Sequence, residues 1–381
     1  MKKECDHHSR NIVIITAPTT HQSQVEPIQR FIDILSPISD SITVIGGGKT
    51  ERTLKNVPGC FEDIGSYNTN VSIIDFVAIQ LKISAILISN RSEYDLVYFH
   101  KGAMAYFLTT LVCKIISLPS CVIKIGALAI ERKGLGGLAK RSVLYLFQLG
   151  AFHLSSGAVV YTSSEIDTIP SGRIYVSYSN YRSFNEYKDK EVWSKREVDI
   201  GFVGGFSELK GVLNLAKAAS NIVEDSPSTC VRLIGDGPLY NEVEDQIRGI
   251  DQIHLTGWVN SENVPHHLNE IKYLFMPSEA EGLPTTAIEA MGCGAVVVAT
   301  QVGSLDDIII DGEVGYALPD PSVKSIEEKY EEITHDNNNT DKIIKNQKKV
   351  VKSNYSLPAA QRRFTEITAD LITDCKRNTE K

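Results

Sequence analysis

The 381-residue chain predicts an α/β fold built from two doubly wound parallel sheets, and three observations carry that expectation. Short β-branched strand-like runs alternate with longer helical patterns along both halves. Glycine-rich turns follow several of the strand-like runs. The length suits two domains, and a composition of 42% hydrophobic and 23% charged residues is that of an ordinary globular protein.

In the first half, residues 11–16 (NIVIIT) form a strand that stops at Ala17-Pro18, residues 25–35 have helical spacing, and residues 41–45 (SITVI) form a second strand. The following Gly46-Gly47-Gly48-Lys49-Thr50 looks like the end of a phosphate-binding loop. Its required first glycine would fall at Thr43, inside the strand, and no helical pattern follows, so it reads as a turn. Residues 71–88 are helical, and strands are expected at 94–100, 122–125, 158–161 and 173–176. Two very apolar helical segments, 103–118 and 142–160, are too short or too interrupted (Lys114 and Pro119; Gly150 and His153) to predict a membrane span. Before the second lies a basic, glycine-rich loop, 131–141, with Arg132, Lys133, Lys140 and Arg141. Two readings stand side by side: a patch over 131–160 that meets anionic lipid headgroups, or a core helix with a solvated loop.

In the second half, strand 198–203 (VDIGFV) leads into Gly204-Gly205-Phe206-Ser207-Glu208-Leu209-Lys210-Gly211 and an alanine-rich helix at 212–223. A glycine-rich turn carrying a lysine between strand and helix can hold an anion. Strands at 231–235 and 253–256 follow, the first turning at Asp236-Gly237-Pro238 into a helix to about 248, the second ending in Gly257-Trp258-Val259. Asp306 and Asp307 begin a helix after Gly303-Ser304, and 311–315 is a turn. Residues 324–352 are charged and helical with an asparagine-rich break at 337–339, and Pro358 marks the start of a last helix at 357–375.

The chemistry concentrates in residues 276–299, MPSEAEGLPTTAIEAMGCGAVVVA. Strand, loop, helix, strand is a βαβ unit, and ligands of parallel sheets bind beyond the carboxyl ends of the strands. Glu281 falls in that loop. Thr285 and Thr286 fall at the helix start, where free N–H groups and the helix dipole attract phosphate. Glu289 lies one turn further in. An ionised carboxylate only accepts hydrogen bonds, so beside a phosphate site it suits sugar hydroxyls. Two carboxylates flanking a phosphate site suggest a nucleotide sugar, against the plainer reading of two glutamates solvating a surface helix.

Other classes are disfavoured. A net charge of −8 argues against a general nucleic-acid binder. The seven cysteines show no CxxC spacing, so reduced cytoplasmic thiols are expected rather than zinc or disulfides; Cys5 with His7 and His8 reads as a tail rather than a metal site. No continuous apolar stretch follows the N-terminal lysines before Pro18, so no signal peptide is expected.

Together FVGGFSELKG, LIGDGPL, LTGWV, MPSEAEGLPTTAIEAMGCGAVVVAT and IIIDGEVGYAL resemble family 4 glycosyltransferases, retaining enzymes of the GT-B fold, in which two Rossmann-like domains face an interdomain cleft. The resemblance implies an acceptor-binding domain at 1–182, with the C-terminal helix 357–381 packing back on it, and a nucleotide-sugar domain at 183–356. It implies that Glu281 binds donor-sugar hydroxyls and Glu289 the ribose, that backbone N–H groups of Gly282, Leu283 and Thr285 around Pro284 hold the diphosphate with Lys210 as its cation, and that the backbone near Val259 contacts the base. Gly204 belongs to the same donor site, and Glu281 and Lys210 are the catalytic candidates. No cofactor or metal is expected, since fixed positive groups can stabilise the departing diphosphate and no D-x-D pair stands in a plausible loop, and the resemblance implies no protein nucleophile, the leaving phosphate itself serving as base in this family.

Three departures accompany the match. Gly205 stands where the family carries an arginine, so Lys101 or Arg182 is expected to supply a second positive charge. The family's glycine loop after the first strand is replaced by Ala17-Pro18-Thr19-Thr20-His21. Lys124-Ile125-Gly126 replaces its His-Gly, while His100 matches a cleft position and serves equally well as a structural histidine. Residues 176–180 parallel the family's hinge. The implied function is transfer of a sugar to a lipid-linked or cell-surface glycan acceptor, by a cytoplasmic protein peripheral on the inner face of the plasma membrane. The rivals are a nucleotide-sugar 2-epimerase of similar fold and a catalytically degenerate partner subunit.

Overall fold

The computed structural model describes residues 10–17, 26–47, 59–65, 73–100, 105–124, 138–177, 192–281, 284–335 and 339–379. The chain divides into two compact units, Met1–Ser179 with Ala360–Lys381, and Asn180–Ala359.

The first unit holds a seven-stranded, all-parallel sheet. Its strands are β1 (Asn11–Thr16), β2 (Ser41–Gly46), β3 (Phe61–Asp63), β4 (Leu96–His100), β5 (Ser120–Ile123), β6 (Gly157–Val160) and β7 (Ile174–Val176), in the order β3-β2-β1-β4-β5-β6-β7. β1, β4, β5 and β6 are continuous apolar runs because helices cover the sheet on both faces. Helices α1 (Glu26–Leu35), α2 (Ile73–Ser89), α3 (Phe107–Ile115) and α4 (Leu138–Leu154) are the crossovers. One side of the sheet (Val13, Ile15, Val97, Phe99, Val122) forms a core with Ile79, Ile83 and Leu87 of α2, Cys113 of α3, and Ala151 and Phe152 of α4. The other side carries Tyr98, against which Phe31 of α1 packs edge-on.

Four expectations for this unit are corrected. The helix expected at 142–160 ends at Leu154, and the strand expected at 158–161 is β6, at 157–160. Gly150 does not interrupt α4; a Cβ there would come within 2.5 Å of the Phe107 ring, so the glycine lets α3 and α4 approach. The helix expected at 103–118 is confined to α3, and the strand expected at 122–125 begins at Ser120. The short edge strand β3 escaped sequence reading because its half-exposed FED carries no apolar period. The triglycine turn after β2, the basic loop 131–137, the segment after Ser177 and the Cys5-His7-His8 tail lie largely or wholly outside the described residues.

The second unit has a six-stranded parallel sheet: β8 (Val198–Val203), β9 (Val231–Ile234), β10 (Ile253–Gly257), β11 (Ile271–Met276), β12 (Val296–Thr300) and β13 (Tyr316–Leu318). Its order is β10-β9-β8-β11-β12-β13. Chain direction across the sheet reverses between β8 and β11, and the crevice beyond their carboxyl ends is where such sheets bind ligands. The helices are α5 (Val212–Asp225), α6 (Tyr240–Gln246), α7 (Val264–Glu270), α8 (Thr285–Cys293), α9 (Ser304–Ile308), α10 (Val323–His335) and α11 (Thr340–Val350). Arg196 is buried among them. Its Nη1 donates to Leu268 O at 3.2 Å and Ile271 O at 2.7 Å, and its Nη2 to Cys293 O, satisfying carbonyls where α7 and α8 end.

A π-helical turn, Val351–Tyr355, leads into the last helix, α12 (Leu357–Thr379), which packs on the first unit. Phe364 meets Phe31 and Tyr98 edge-on, Tyr98 Oη lies 2.9 Å from Thr368 Oγ1, and Arg173 pairs with Asp370 and Asp374. Among the described residues no helix is long and apolar enough to cross a membrane, and six cysteines are free thiols. Burial pushes the Cys113 thiol up to about 12 and the Cys121 thiol higher, so both stay protonated at neutral pH.

Candidate active site

At the switch point of the second sheet, the segments after β8 and β11 enclose a pocket of about 180 Å³. It is lined by Phe202, Val203, Gly204, Gly205 and Lys210 on one side and Met276, Ser278, Glu281, Pro284, Thr285 and Thr286 on the other.

Local structure fixes each wall. After β8 the chain makes a 3₁₀ turn at Glu208–Lys210 and enters α5 through Gly211 at φ +66°. A Cβ at Gly211 would lie 2.0 Å from Pro277 O, so only glycine lets the lysine-bearing turn sit against the end of β11. The amide of Glu279 donates to Leu209 O at 2.9 Å and ties the two walls together. On the far side Gly303, at φ +56°, leaves no room for a Cβ, which would lie 1.8 Å from Glu281 O. Two glycines thus hold the carbonyl-bearing backbone around Glu281 in close contact with its neighbours.

Within this frame Lys210 Nζ lies 2.6 Å from Glu281 Oε1, and Ser278 Oγ donates to the same oxygen at 2.9 Å. The Glu281 side chain is 5% exposed and that of Lys210 34%. Both donors converge on Oε1, so among the described residues no protein group holds Oε2, which is left to accept from a ligand. Ser278 is itself fixed by Thr300, whose Oγ1 donates to Ser278 O. Helix α8 begins after Pro284 with no side-chain cap, so its first N–H groups, on Thr285 and Thr286, meet the pocket with the positive end of the helix dipole behind them.

Of the residues expected from the sequence, the structure brings together Gly204, Gly205, Lys210, Glu281, Pro284 and Thr285. Glu289 is buried one turn inside α8 and does not line this pocket. Val259, half-buried, follows β10, two strands from β8. A Cβ at Gly205 would meet nothing closer than Asp236 O at 4.0 Å, so a side chain is sterically admissible there. Gly282, Leu283, Lys101 and Arg182 lie outside the described residues. Sequence reading missed Ser278 and Thr300; the only signal was a hydroxyl residue at or just beyond a strand's carboxyl end.

The first sheet has its own switch point between β1 and β4, where Thr16 pairs with His100. His100 is buried and stacks on Phe31 with ring centroids 4.8 Å apart. Lys124, directly after β5, is buried in an ion pair with Glu165, whose Oε2 accepts from Tyr161 N. Among the described residues no group of three or more His, Cys, Asp or Glu side chains could hold a metal ion.

Residues 183–350 match the family model for glycosyl transferases group 1. An uncharacterised glycosyltransferase of Methanocaldococcus jannaschii is 30% identical over 45% of this chain and 47% of its own length. A capsular polysaccharide biosynthesis glycosyltransferase of Staphylococcus aureus is 29% identical over 41% of this chain and 42% of its own. The chain thus spans about half the length or less of these curated relatives. Over nearly the whole chain the fold is similar to that of the Anabaena protein HepE, solved with UDP, with a TM-score of 0.73, 17% identity, and 94% of this chain and 99% of that one covered. The architecture is that of GT-B glycosyltransferases.

Proposed function

We propose that this chain, a glycosyl transferases group 1 protein by its residues 183–350, moves a sugar from a nucleoside-diphosphate sugar to an acceptor hydroxyl with retention at the anomeric carbon. The observation that carries the reading is the convergence of Lys210, Glu281 and the uncapped start of α8 on one pocket. An ammonium group and free helix N–H groups stabilise the negative charge that develops on a departing diphosphate. The free oxygen of Glu281 accepts from sugar hydroxyls beside it. Glu289 is assigned to the ribose, the backbone at Gly282 and Leu283 to the diphosphate, and the backbone near Val259 to the base.

The first unit is assigned to the acceptor. A lipid-linked carrier or growing cell-surface glycan suits the apolar α4 and the basic segment before it, and a relative named for capsular polysaccharide biosynthesis supports that class. On this reading the protein works at the inner face of the plasma membrane through 131–160.

A single positive side chain lines the pocket among the described residues, and we assign the second positive charge to Lys101 or Arg182. If both Lys101→Ala and Arg182→Ala turn over like the parent, that assignment is withdrawn. Should either lose activity, Gly205→Arg in the same chain is expected to restore part of it, because the position has room for a side chain.

The function itself is tested by incubating the chain with a panel of nucleoside-diphosphate sugars in EDTA and following the sugar's anomeric proton by NMR. The expected result is a donor-specific, EDTA-insensitive release of nucleoside diphosphate, with the sugar transferred or slowly hydrolysed with retention. Epimerised nucleotide sugar without acceptor would instead identify a 2-epimerase. Binding of every donor with no turnover would identify a partner subunit.

A further inference from the structure

Two donors of unlike kind hold Glu281, both on the same oxygen. Lys210 is long and partly exposed, whereas Ser278 is short, buried and two residues beyond the end of β11. An ionised carboxylate only accepts, so the single hydroxyl proton of Ser278 is committed to Glu281 Oε1. Thr300, buried at the end of β12, donates its own hydroxyl proton to Ser278 O. Two hydrogen bonds thus lead from the neighbouring strand to one carboxylate oxygen. A buried hydroxyl that only needs a partner can use a backbone carbonyl, as that of Thr300 does. Ser278 donates instead to the acid of the pocket wall.

The two oxygens of a carboxylate exchange by half a turn about the bond that carries them, and that torsion is soft. Lys210 does not prevent the exchange, because an ammonium group on a flexible four-carbon stem follows whichever oxygen it meets. Ser278 does, since its short side chain reaches one place only. We propose that Ser278, backed by Thr300, is a positioning residue for sugar transfer. As Lys210 Nζ is drawn to the diphosphate of an arriving donor, its hold on Glu281 slackens. Ser278 then keeps Oε1 in place and Oε2 turned to the sugar hydroxyls. This role rests on the donor reading of the pocket given above.

A positioning hydroxyl and a merely structural one differ in when they matter. In the empty pocket Lys210 and Ser278 share Glu281, so loss of the hydroxyl still leaves the carboxylate a donor. In the loaded pocket the diphosphate competes for Lys210, and the hydroxyl becomes decisive. Its loss therefore falls on the step that needs the sugar aligned, and spares the binding of a nucleoside diphosphate that carries no sugar.

The test compares Ser278→Ala, Thr300→Val and Thr300→Ser with the parent chain. The probes are free UDP, GDP and ADP, and the panel of nucleoside-diphosphate sugars, whose slow hydrolysis needs no acceptor. Ser278→Ala is expected to lower kcat by about tenfold to a hundredfold, the size of a hydrogen bond to a charged group. Its affinity for the free nucleoside diphosphate should stay within about threefold of the parent's. Thr300→Val should lower kcat by about fivefold, the size of a neutral hydrogen bond, and Thr300→Ser, which keeps the hydroxyl, should restore it. Ser278→Ala turning over like the parent overturns the proposal. So does a fall of nucleotide affinity and kcat by the same factor, which marks a hydroxyl that only shapes the pocket. Either outcome leaves the donor reading standing. A parent chain that binds these nucleotides but turns over none of the sugars contradicts that reading, and the role of Ser278 goes with it.

Discussion

Lys210→Ala is expected to lower kcat for sugar transfer by about 10²–10³-fold, the range found when a preorganised group facing transition-state charge is removed. Only part of Lys210's charge is engaged before the donor binds. Its Nζ has three hydrogens, and the contact with Glu281 Oε1 uses one. The others are free to meet the phosphate oxygens as the glycosidic bond breaks and negative charge moves onto the diphosphate. Because that charge is greatest in the transition state, the loss should fall on kcat more than on KM. Stability should fall by less than the rate does: the lysine is 34% exposed, but its loss leaves the 5%-exposed Glu281 carboxylate with Ser278 as its remaining donor among the described residues. Steady-state kinetics beside a thermal unfolding curve therefore separate the two effects. Lys210→Arg keeps the charge and should recover part of the rate, since the guanidinium reaches phosphate in a different geometry. A fall in rate matched by a large fall in stability would show that the residue holds the fold rather than the phosphate.

Glu281→Gln is expected to move two quantities in opposite directions. Transfer should fall by about a hundredfold or more, because the amide accepts sugar hydroxyls more weakly than a carboxylate does. Binding of the free nucleoside diphosphate should tighten by roughly threefold to tenfold, since the substitution removes a negative charge beside the phosphates and frees Lys210 from its partner. A merely structural role predicts no such opposition. The glutamine retains the shape that Ser278 and Gly303 support, so the variant should fold. Unchanged transfer and unchanged donor hydrolysis would remove the role assigned to Glu281. Since Lys210 and Glu281 share a hydrogen bond, the doubly substituted chain should lose less than the sum of the two single effects.

Much of this was legible in the sequence, because the determinants are local. A strand, a short loop with Glu281, and threonines at a helix start place the carboxylate and the phosphate site at one sheet edge. The lysine-bearing turn after residues 198–203 places the cation at another. That the two edges adjoin depends on strand order, β8 beside β11 with the reversal between them, which long-range pairing decides. The Lys210–Glu281 contact, the Ser278 hydrogen bond and the clasp of Thr300 on Ser278 follow from that adjacency and leave no periodic trace. The misplaced end of α4 has a different cause. A buried helix and a buried strand are both continuous apolar runs, so period alone could not separate 138–154 from 157–160. The break was written in Ser155-Ser156-Gly157, a turn signal inside the run. Strand β13 was hidden by its three-residue length.

The central claim is that one pocket grips a diphosphate between Lys210 and the start of α8 with Glu281 beside it. Crystals of the chain grown with a nucleoside diphosphate test it most directly. The claim predicts phosphate oxygens within hydrogen-bonding distance of Lys210 Nζ and of the Thr285 and Thr286 amides, with Glu281 Oε2 turned to the site of the sugar. Nucleotide density elsewhere in the chain, with Lys210 and Glu281 still closed on each other over an empty pocket, would contradict it.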